Sequence, residues 1–351
     1  MTRTDMLANR YAPTGKRFNG GQGIVIEAVD TFLDRIVAIK FYKTNGSSKD
    51  LKEELSKLKR IRSNHVVNLF DIISMPKEMA LVQEYLKGKN LNGYLKGEAN
   101  QEQILKTLYQ VASGLNDIHK AGLIHRDIKP SNMKFDEMGI IKIFDFGISS
   151  IQENTYTTGG WGTLGYLGPE FYQQHPSIPI STKTDVYAFG VSVWSILIEE
   201  QNLPIEFKQR PPFHIDPAPS IKKITSFLPK QLISLIDSCL APSPEARPSM
   251  EEIRDQLQAE LLKDKHIARV TIEREQHIIN KRTPKATISV AERVIEITYN
   301  GYDFSVSAIT GDVKANGEPL KLGSKLAHSC ILDFGSLNFI PFDQSHPEIL
   351  L

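Results

Sequence analysis

The chain begins with a strand-like pattern of apolar positions. Ile24, Ile26 and Ala28 alternate with other residues, and residues 36–41 form a β-branched run. Strand-like runs return at 66–73 and 80–86. Between these runs, residues 50–61 place apolar side chains at the three- and four-residue spacing of a helix. We therefore predict that the first part of the chain forms mostly sheet with one helix.

The pattern becomes helical in the middle of the chain. Residues 101–121 repeat apolar side chains at helical spacing, and residues 184–199 are apolar nearly all round, which predicts a helix buried inside a larger lobe. Ser249 and Glu252 form a capping-box pattern ahead of a further helix that ends near Leu262. A helix-rich lobe is therefore predicted to follow the strand-rich one.

Beyond Leu262 the pattern returns to strands. Residues 288–306 are strand-like and interrupted by Asn300-Gly301, a signal for a two-residue hairpin turn. Asn316-Gly317 is a second such signal, and residues 331–342 are apolar. These features predict a small β-rich unit at the C-terminal end of the sequence.

The length of the chain indicates several folding units, and its composition is that of a globular protein. The 351 residues exceed what one compact core holds, and 40% hydrophobic with 24% charged residues is ordinary for a globular protein. We divide the chain into an N-terminal extension, two lobes, and a linker with a small β-rich domain. Their bounds are 1–10, 11–87, 88–262 and 263–351.

Charge and cysteine content limit which binding partners and which cellular compartment we expect for this protein. The formal net charge of +1 gives no overall attraction to nucleic acid or to an acidic membrane. Cys239 and Cys330 have no metal-ligand spacing, which fits a reducing compartment. Residues 1–10 lack the apolar segment of a signal peptide, and the longest apolar stretch, 190–198, is too short for a membrane span. We expect a soluble cytoplasmic protein.

The sequence H-R-D-I-K-P-S-N at 125–132, followed by D-F-G at 145–147, carries the clearest chemical pattern. Phosphoryl transfer needs a carboxylate that accepts the proton of the attacking hydroxyl, and oxygen ligands that hold Mg²⁺ on the phosphates. Asp127 fits the first role. Asn132 and Asp145 fit the second, because Mg²⁺ prefers oxygen donors. Lys129 is placed to offset charge on the transferred phosphoryl group.

Upstream segments fit the binding of a nucleotide. A glycine-rich turn precedes the run V-A-I-K, whose Lys40 suits the α- and β-phosphates of ATP. Glu54 on the following helix is its expected ion-pair partner, and the strand at 81–86 leads into a hinge beside adenine. The candidate nucleotide-binding residues are Gly20, Gly21, Gly23, Val25, Ala38, Lys40, Glu54, Glu84 and Leu86.

In this order and spacing the motifs resemble those of the eukaryotic-like (Hanks-type) serine/threonine protein kinases, over residues 11–262, and the resemblance favours a bacterial or phage member. It implies an α+β, bilobal kinase fold with a β-rich N-lobe and an α-rich C-lobe. It also implies ATP and Mg²⁺ as cofactors, with Mn²⁺ as a substitute, and protein substrates.

The same resemblance implies roles for residues outside the catalytic loop. Glu170 resembles the glutamate that pairs with an arginine, here Arg247, and Asp185 resembles the buried aspartate that braces the catalytic loop. Arg126 is similar to the arginine that pairs with a phosphate in the segment between Gly147 and Gly162. Within that segment, the expected regulatory phosphate acceptors are Thr157 first and Thr155 second.

Three positions depart from the family pattern, and one of them, Gly168, stands where alanine is usual. Phe18 stands where the first glycine of the glycine-rich loop is usual, and Lys134 falls where an apolar residue normally lies beneath adenine. A second D-F-G, beginning at Asp333, has no catalytic loop before it, and we interpret it as packing in a strand and turn. The four central residues Lys40, Asp127, Asn132 and Asp145 are unaffected.

Several functional alternatives differ in the residues they require. A pseudokinase scaffold usually lacks a catalytic group, and here all are present. A small-molecule kinase typically lacks the peptide shelf, which residues 162–170 resemble. Lys129 and Thr163 resemble the serine/threonine branch, while dual-specificity or tyrosine kinase activity stays open. For residues 263–351 a docking partner and a stabilising appendage both stay open, and we make no prediction of the oligomeric state.

Overall fold

The computed structural model describes residues 6–20, 23–43, 49–75, 78–97, 99–146, 165–172, 180–208, 218–272, 275–326, 329–335 and 338–344. The chain separates into two compact units, Met1–Arg254 and Asp255–Leu351. Among the described residues, no helix is both long and apolar enough to cross a membrane.

The first unit opens with a five-stranded antiparallel sheet in the order β1-β2-β3-β5-β4. Helix α1 (Lys49–Arg60) lies between β3 and β4 in the sequence. The strands are β1 (Tyr11–Gly20), β2 (Gly23–Asp30), β3 (Arg35–Lys43), β4 (Leu69–Ser74) and β5 (Glu78–Glu84). The predicted strand-rich N-terminal part is therefore confirmed. The turn between β2 and β3 spans residues 31–34.

The cross-strand register separates the two faces of this sheet. Lys40 lies opposite Val25 on one side and Leu81 on the other, so these three side chains share one face. The other face holds a buried cluster that includes Tyr11 and Ile39. Because successive side chains of a strand point to opposite faces, β3 supplies Ile39 to the core and Lys40 to the other face.

Residues just before β1 contact this sheet, so they do not form a separate extension. Arg10 donates two hydrogen bonds of 2.7 Å to the carboxylate of Asp30, which is fully buried, and Leu7 forms an isolated bridge with Tyr11. A buried carboxylate needs such a partner to offset its lost hydration. The N-terminal extension predicted at 1–10 is therefore too long at its C-terminal end.

A helical lobe follows the sheet. Its α2 begins with a capping box in which Asn100 Oδ1 accepts from Gln103 N at 2.9 Å and Gln103 Oε1 accepts from Asn100 N at 3.0 Å. The lobe contains α2 (Gln101–Lys120), β6 (Met133–Phe135), β7 (Ile141–Ile143), α3 (Thr182–Ile198), α4 (Ile205–Lys208), α5 (Lys230–Ser238) and α6 (Met250–Leu262). Short 3-10 turns cover Pro130–Asn132, Pro169–Tyr172, Glu200–Asn202, Ile221–Lys223 and Pro244–Ala246.

Helix α3 is buried on almost every side, as its uniformly apolar sequence predicts. Helix α6 begins with the predicted capping box, since Glu252 Oε2 accepts from Ser249 N at 2.7 Å and Glu252 N donates to Ser249 Oγ at 3.2 Å. The division between the two units falls inside α6, before the predicted boundary after Leu262. The later part of α6 belongs to the second unit, within which Tyr302 donates to Glu260 at 3.4 Å.

The second unit consists of two antiparallel sheets around its own apolar core. Three strands run in the order β10-β11-β12, and six in the order β14-β13-β15-β16-β8-β9. The strands are β8 (Ala268–Ile272), β9 (Glu275–Ile279), β10 (Lys285–Val290), β11 (Arg293–Tyr299), β12 (Phe304–Thr310), β13 (Lys314–Ala315), β14 (Glu318–Pro319), β15 (Ser329–Asp333) and β16 (Phe339–Gln344). The predicted β-rich C-terminal unit is present.

The hairpin turns of this unit follow the sequence signals only in part. Asn316-Gly317 forms the predicted two-residue turn, and both residues have positive φ, 50° and 87°. The prediction for Asn300-Gly301 is wrong, because residues 300–303 form a longer loop in which Asn300 Oδ1 accepts from Tyr302 N and Asp303 N. A two-residue turn that the sequence did not signal occurs at Ala291-Glu292.

Candidate active site

The catalytic loop after α2 brings three predicted residues together. Asn132 Nδ2 donates to both the backbone carbonyl and the Oδ2 of Asp127 at 2.8 Å, and Lys129 Nζ lies 3.0 Å from the same Oδ2. Asp127 is only 7% exposed, so these contacts replace much of the water around its carboxylate. The short turn Pro130–Asn132 produces this arrangement by folding Asn132 back toward Asp127.

Asp185, on the first turn of α3, holds this loop by its backbone. Its carboxylate accepts from His125 N at 2.8 Å and Arg126 N at 2.9 Å, and His119 Nε2 lies 2.9 Å from Oδ2. Burial alone would raise the pKa of Asp185, but His119, His125 and the backbone donor lower it below its ordinary value. Asp185 therefore braces the catalytic loop as predicted, whereas no sequence pattern pointed to His119.

His125 connects the catalytic loop to the D-F-G segment. Its Nε2 lies 3.0 Å from the carbonyl oxygen of Phe144, and its Nδ1 accepts from Asp127 N at 3.3 Å. Burial lowers the pKa of His125, and these two partners assign the proton of the neutral ring to Nε2. Its ring centroid lies 4.8 Å from that of Phe146. The two catalytic segments are thus packed against each other.

Lys40 and Asp145 meet across the two lobes as an ion pair. Burial lowers the pKa of Lys40 to about 8, against the opposing effect of Asp127, while Lys129 lowers it further. Asp145 has a φ of 68°, a left-handed conformation that costs energy and is typical of functional sites. The side chain of Glu54 lies outside the described residues, so its pairing with Lys40 stays a prediction.

The predicted magnesium ligands fit that metal by their chemistry. Phe144 N donates to Asn132 O at 3.0 Å, which places the residue before Asp145 beside Asn132. Since Asn132 Nδ2 donates to Asp127, its Oδ1 is the atom left for a cation. One carboxylate and one amide oxygen leave positions for phosphate oxygens and water, as Mg²⁺ usually requires. Within the described ranges, no group of three or more His, Cys, Asp or Glu residues could hold a metal.

The face of the N-lobe sheet that carries Lys40 also carries Val25 and Ala38. Ala38 lies opposite Glu27 and Gln83, and Val25 lies opposite Phe18. The Phe18 ring, 46% exposed, has its centroid 6.4 Å from that of Tyr85 in the hinge. Phe18 therefore adds an aromatic ring to this face, where the family pattern has glycine.

For the other predicted nucleotide-binding residues, the strand pairing shows where each one lies. Gly20 pairs with Gly23 across β1 and β2. Glu84 lies opposite Val37, on the sheet face away from Ala38, so any contact from Glu84 to a base would come from its backbone. Leu86 comes after Tyr85, just beyond the end of β5, and Lys134 on β6 places Nζ 5.4 Å from the Phe144 ring centroid.

The predicted pair of Glu170 and Arg247 is present. Arg247 Nη1 and Nη2 donate to the two carboxylate oxygens of Glu170 at 2.8 and 2.6 Å, and both residues are buried. The second D-F-G is packed as interpreted, because Asp333 Oδ1 accepts from Gly335 N at 2.6 Å and Phe334 lies in the core of the second unit. Gly21, Thr155, Thr157, Gly162 and Thr163 lie outside the described residues.

Comparison with known proteins agrees with this geometry. The protein kinase domain family matches residues 18–257. A probable serine/threonine-protein kinase of Clostridium acetobutylicum is 33% identical over 268 residues, which are 72% of this chain and 40% of that protein. Serine/threonine-protein kinase A of Synechocystis is 31% identical over 280 residues, 71% of this chain and 52% of that protein.

A plant relative gives the same result. Serine/threonine-protein kinase TOUSLED of Arabidopsis thaliana is 30% identical over 271 residues, 70% of this chain and 39% of that protein. The chain thus spans 39 to 52% of the length of these three relatives.

Proposed function

The chain belongs to the protein kinase family, and we propose that it transfers the γ-phosphoryl group of ATP to serine and threonine hydroxyls of protein substrates. The observation that carries this proposal is the Asp127 carboxylate, which Asn132 and Lys129 hold beside the cross-lobe pair of Lys40 and Asp145. Together these residues supply a base, a phosphate clamp and oxygen ligands for Mg²⁺.

Each of these side chains has a distinct task in the proposed reaction. Asp127 accepts the hydroxyl proton of the protein substrate, and Lys129, 3.0 Å from it, stabilises charge on the transferred group. Lys40 moves its contact from Asp145 to the nucleotide phosphates. Asn132 and Asp145 would hold Mg²⁺, which supplies charge neutralisation on the phosphates when bound.

The preference for serine and threonine rests on two supports. Relatives named serine/threonine-protein kinases match the chain at 31 and 33% identity. Lys129 occupies the catalytic-loop position that resembles the serine/threonine branch, and its contact with Asp127, the proposed base, supports a role next to the attacking hydroxyl. Dual-specificity or tyrosine kinase activity is the second candidate.

The test is phosphate transfer from γ-labelled ATP to a generic protein substrate and to the enzyme itself, followed by phosphoamino-acid analysis. We expect phosphoserine and phosphothreonine in the presence of Mg²⁺, and Mn²⁺ as a substitute metal. An Asp127→Asn preparation provides the control for contaminating kinases. Phosphotyrosine as the main product would favour the second candidate, and no transfer by the folded wild-type protein would contradict the proposal.

For the second unit we propose a binding role without chemistry of its own. Support comes from its separate core and from the structural use of Asp333, whose carboxylate is committed to a turn. A cytoplasmic location is likewise a proposal. It is supported by Cys239 and Cys330, which are both buried and unpaired.

A further inference from the structure

Lys142, a buried lysine of the C-lobe, lies close to the hinge. Lys142 lies in the middle of β7, and its side chain is only 9% exposed. Its Nζ lies 3.4 Å from Oε2 of Glu84, the last residue of β5. Among the described residues, Glu84 is the one carboxylate within ion-pair distance of Lys142. Lys134, a second cation, lies directly opposite on β6, so Lys142 depends on Glu84 for compensation.

Glu84 is also bound from the N-lobe side. Its Oε2 accepts from the side-chain amide of Asn68 at 2.9 Å and from the backbone N–H of Asn68 at 3.2 Å. Glu84 N in turn donates to Asn68 O at 3.0 Å. One carboxylate oxygen therefore joins β7 of the C-lobe, the start of the hinge and the residue before β4.

The segment that carries Asn68 is itself attached to β7. Val67 N donates to Ile143 O, and Ile143 N donates to His65 O, both at 2.9 Å. Residues 65–68 and β7 therefore form one block, and the contacts of Glu84 fasten the hinge to it. Since Glu84 lies on the face of β5 away from Ala38, this network does not touch the predicted nucleotide.

We propose that Lys142, through Glu84, is a positioning residue that restrains hinge opening and so slows the release of nucleotide. The inference rests on the proposed function, because it concerns the nucleotide that the kinase would use. Opening the cleft requires rotation at the hinge. Rotation that separates Glu84 from Lys142 leaves a buried ammonium group without compensation, which is strongly unfavourable. In the conformation in which Lys142 contacts Glu84, Lys40 also contacts Asp145 and His125 also contacts Phe146.

A nearby ion pair provides a matched control. Lys87, also at the hinge, lies 2.6 Å from Glu137 in the turn between β6 and β7. This pair joins nearly the same two parts of the chain. However, the side chains of Lys87 and Glu137 are 56 and 69% exposed, whereas those of Lys142 and Glu84 are 9 and 21% exposed. Exposed pairs add little because water and salt screen them. Lys87→Met therefore removes the same charge without removing a buried restraint.

The experiment measures release of a fluorescent N-methylanthraniloyl ADP from the full chain by stopped flow. We expect Lys142→Met to release it about tenfold faster than wild type, since one partner of a buried pair is lost. KM for ATP should rise while kcat changes little, which a general loss of structure would not produce. Lys87→Met should behave as wild type does.

A second variant keeps the test decisive if Lys142→Met fails to fold. Glu84→Gln retains acceptance from Asn68 but removes the charge, and we expect the same acceleration. The double variant should release nucleotide no faster than the faster single variant, because both act through one interaction. Wild-type release rates in folded Lys142→Met or Glu84→Gln, or equal acceleration by Lys87→Met, would overturn the inference. Failure of wild type to bind the nucleotide would instead contradict the proposed function.

Discussion

Arg247 and Glu170 form a buried ion pair with two parallel hydrogen bonds, 2.6 and 2.8 Å long, although 77 positions separate them in the sequence. Arg247 also donates to the carbonyl of Ala241 at 2.9 Å and to that of Lys183 at 3.0 Å. One guanidinium group therefore ties the turn Pro169–Tyr172, α3 and the segment before α6 together. Its planar set of donors matches these acceptors, which a lysine could not do.

Replacing Arg247 should destabilise the kinase unit strongly. We expect Arg247→Met to lower the free energy of unfolding by about 3 kcal/mol, because the Glu170 carboxylate is left buried without compensation. Denaturant titration followed by tryptophan fluorescence would measure the loss. Lys120→Met is the control, since its pair with Glu251 is 54 and 52% exposed, and it should unfold at the wild-type denaturant concentration.

Removing the catalytic groups should stop phosphate transfer without unfolding the protein. Asp127→Asn and Lys40→Met each remove a charge at little cost in volume, and we expect the rate to fall on the order of 10²-fold or more. Asp145→Ala should act in the same way, with poor rescue by added Mg²⁺ or Mn²⁺. Autophosphorylation near the wild-type rate in any of the three would contradict the assigned roles.

Activity should decline as the pH rises through about 8, the pKa of buried Lys40. Above that pH the amine loses the proton that allows it to bind phosphate, so kcat/KM for ATP should fall. Unfolding would not explain the decline. The unfolded chain keeps this proton up to the ordinary lysine pKa of 10.5, so for this group the folded state gains stability between about pH 8 and 10.5.

Arginine at the same position tests that assignment. Lys40→Arg keeps a positive charge throughout this range and should lose the decline near pH 8, whatever its absolute rate. An unchanged alkaline decline in this variant would show that another group causes it.

Phosphorylation between Gly147 and Gly162 is predicted to raise activity. Arg126 precedes Asp127 and is the expected partner of a phosphate on Thr157 or, second, on Thr155. A phosphate carries a charge of about −1.5 to −2 and orders a segment by pairing with arginine. Mass spectrometry of the active enzyme should find phosphate on these threonines, and Thr157→Ala should lower activity. Active enzyme without phosphate in residues 149–158 would exclude this form of regulation.

Truncation after Leu262 should leave phosphate transfer to a generic substrate close to the full-length rate. The second unit has its own core, and none of the proposed catalytic residues lies in it. Thermal stability and solubility should fall, because the truncation removes the partner that Glu260 has in Tyr302. Loss of transfer by a truncated protein that still unfolds cooperatively would show that the second unit contributes to the chemistry.

Several features of the fold could be predicted because their causes are local. The helices α2 and α6 begin at capping residues that bind the first free N–H groups of each helix. Asn316-Gly317 forms a turn because both residues tolerate a positive φ. The loop at Asn300 has the same signal but a different outcome, because Asn300 Oδ1 bonds to later N–H groups and lengthens it. The turn at Ala291-Glu292 has no signal at all, so the pairing of β10 with β11 imposes it.

The sequence alone determined the family of chemistry, since Asp127, Lys129 and Asn132 lie within one short loop, where a local turn brings them together. Tertiary structure decided the contacts between distant residues that no motif marks. The bond of His119 to Asp185 and the burial of Lys142 against Glu84 both join residues from separate elements. Such contacts leave no periodic or local pattern, because packing alone determines which buried charge meets which partner.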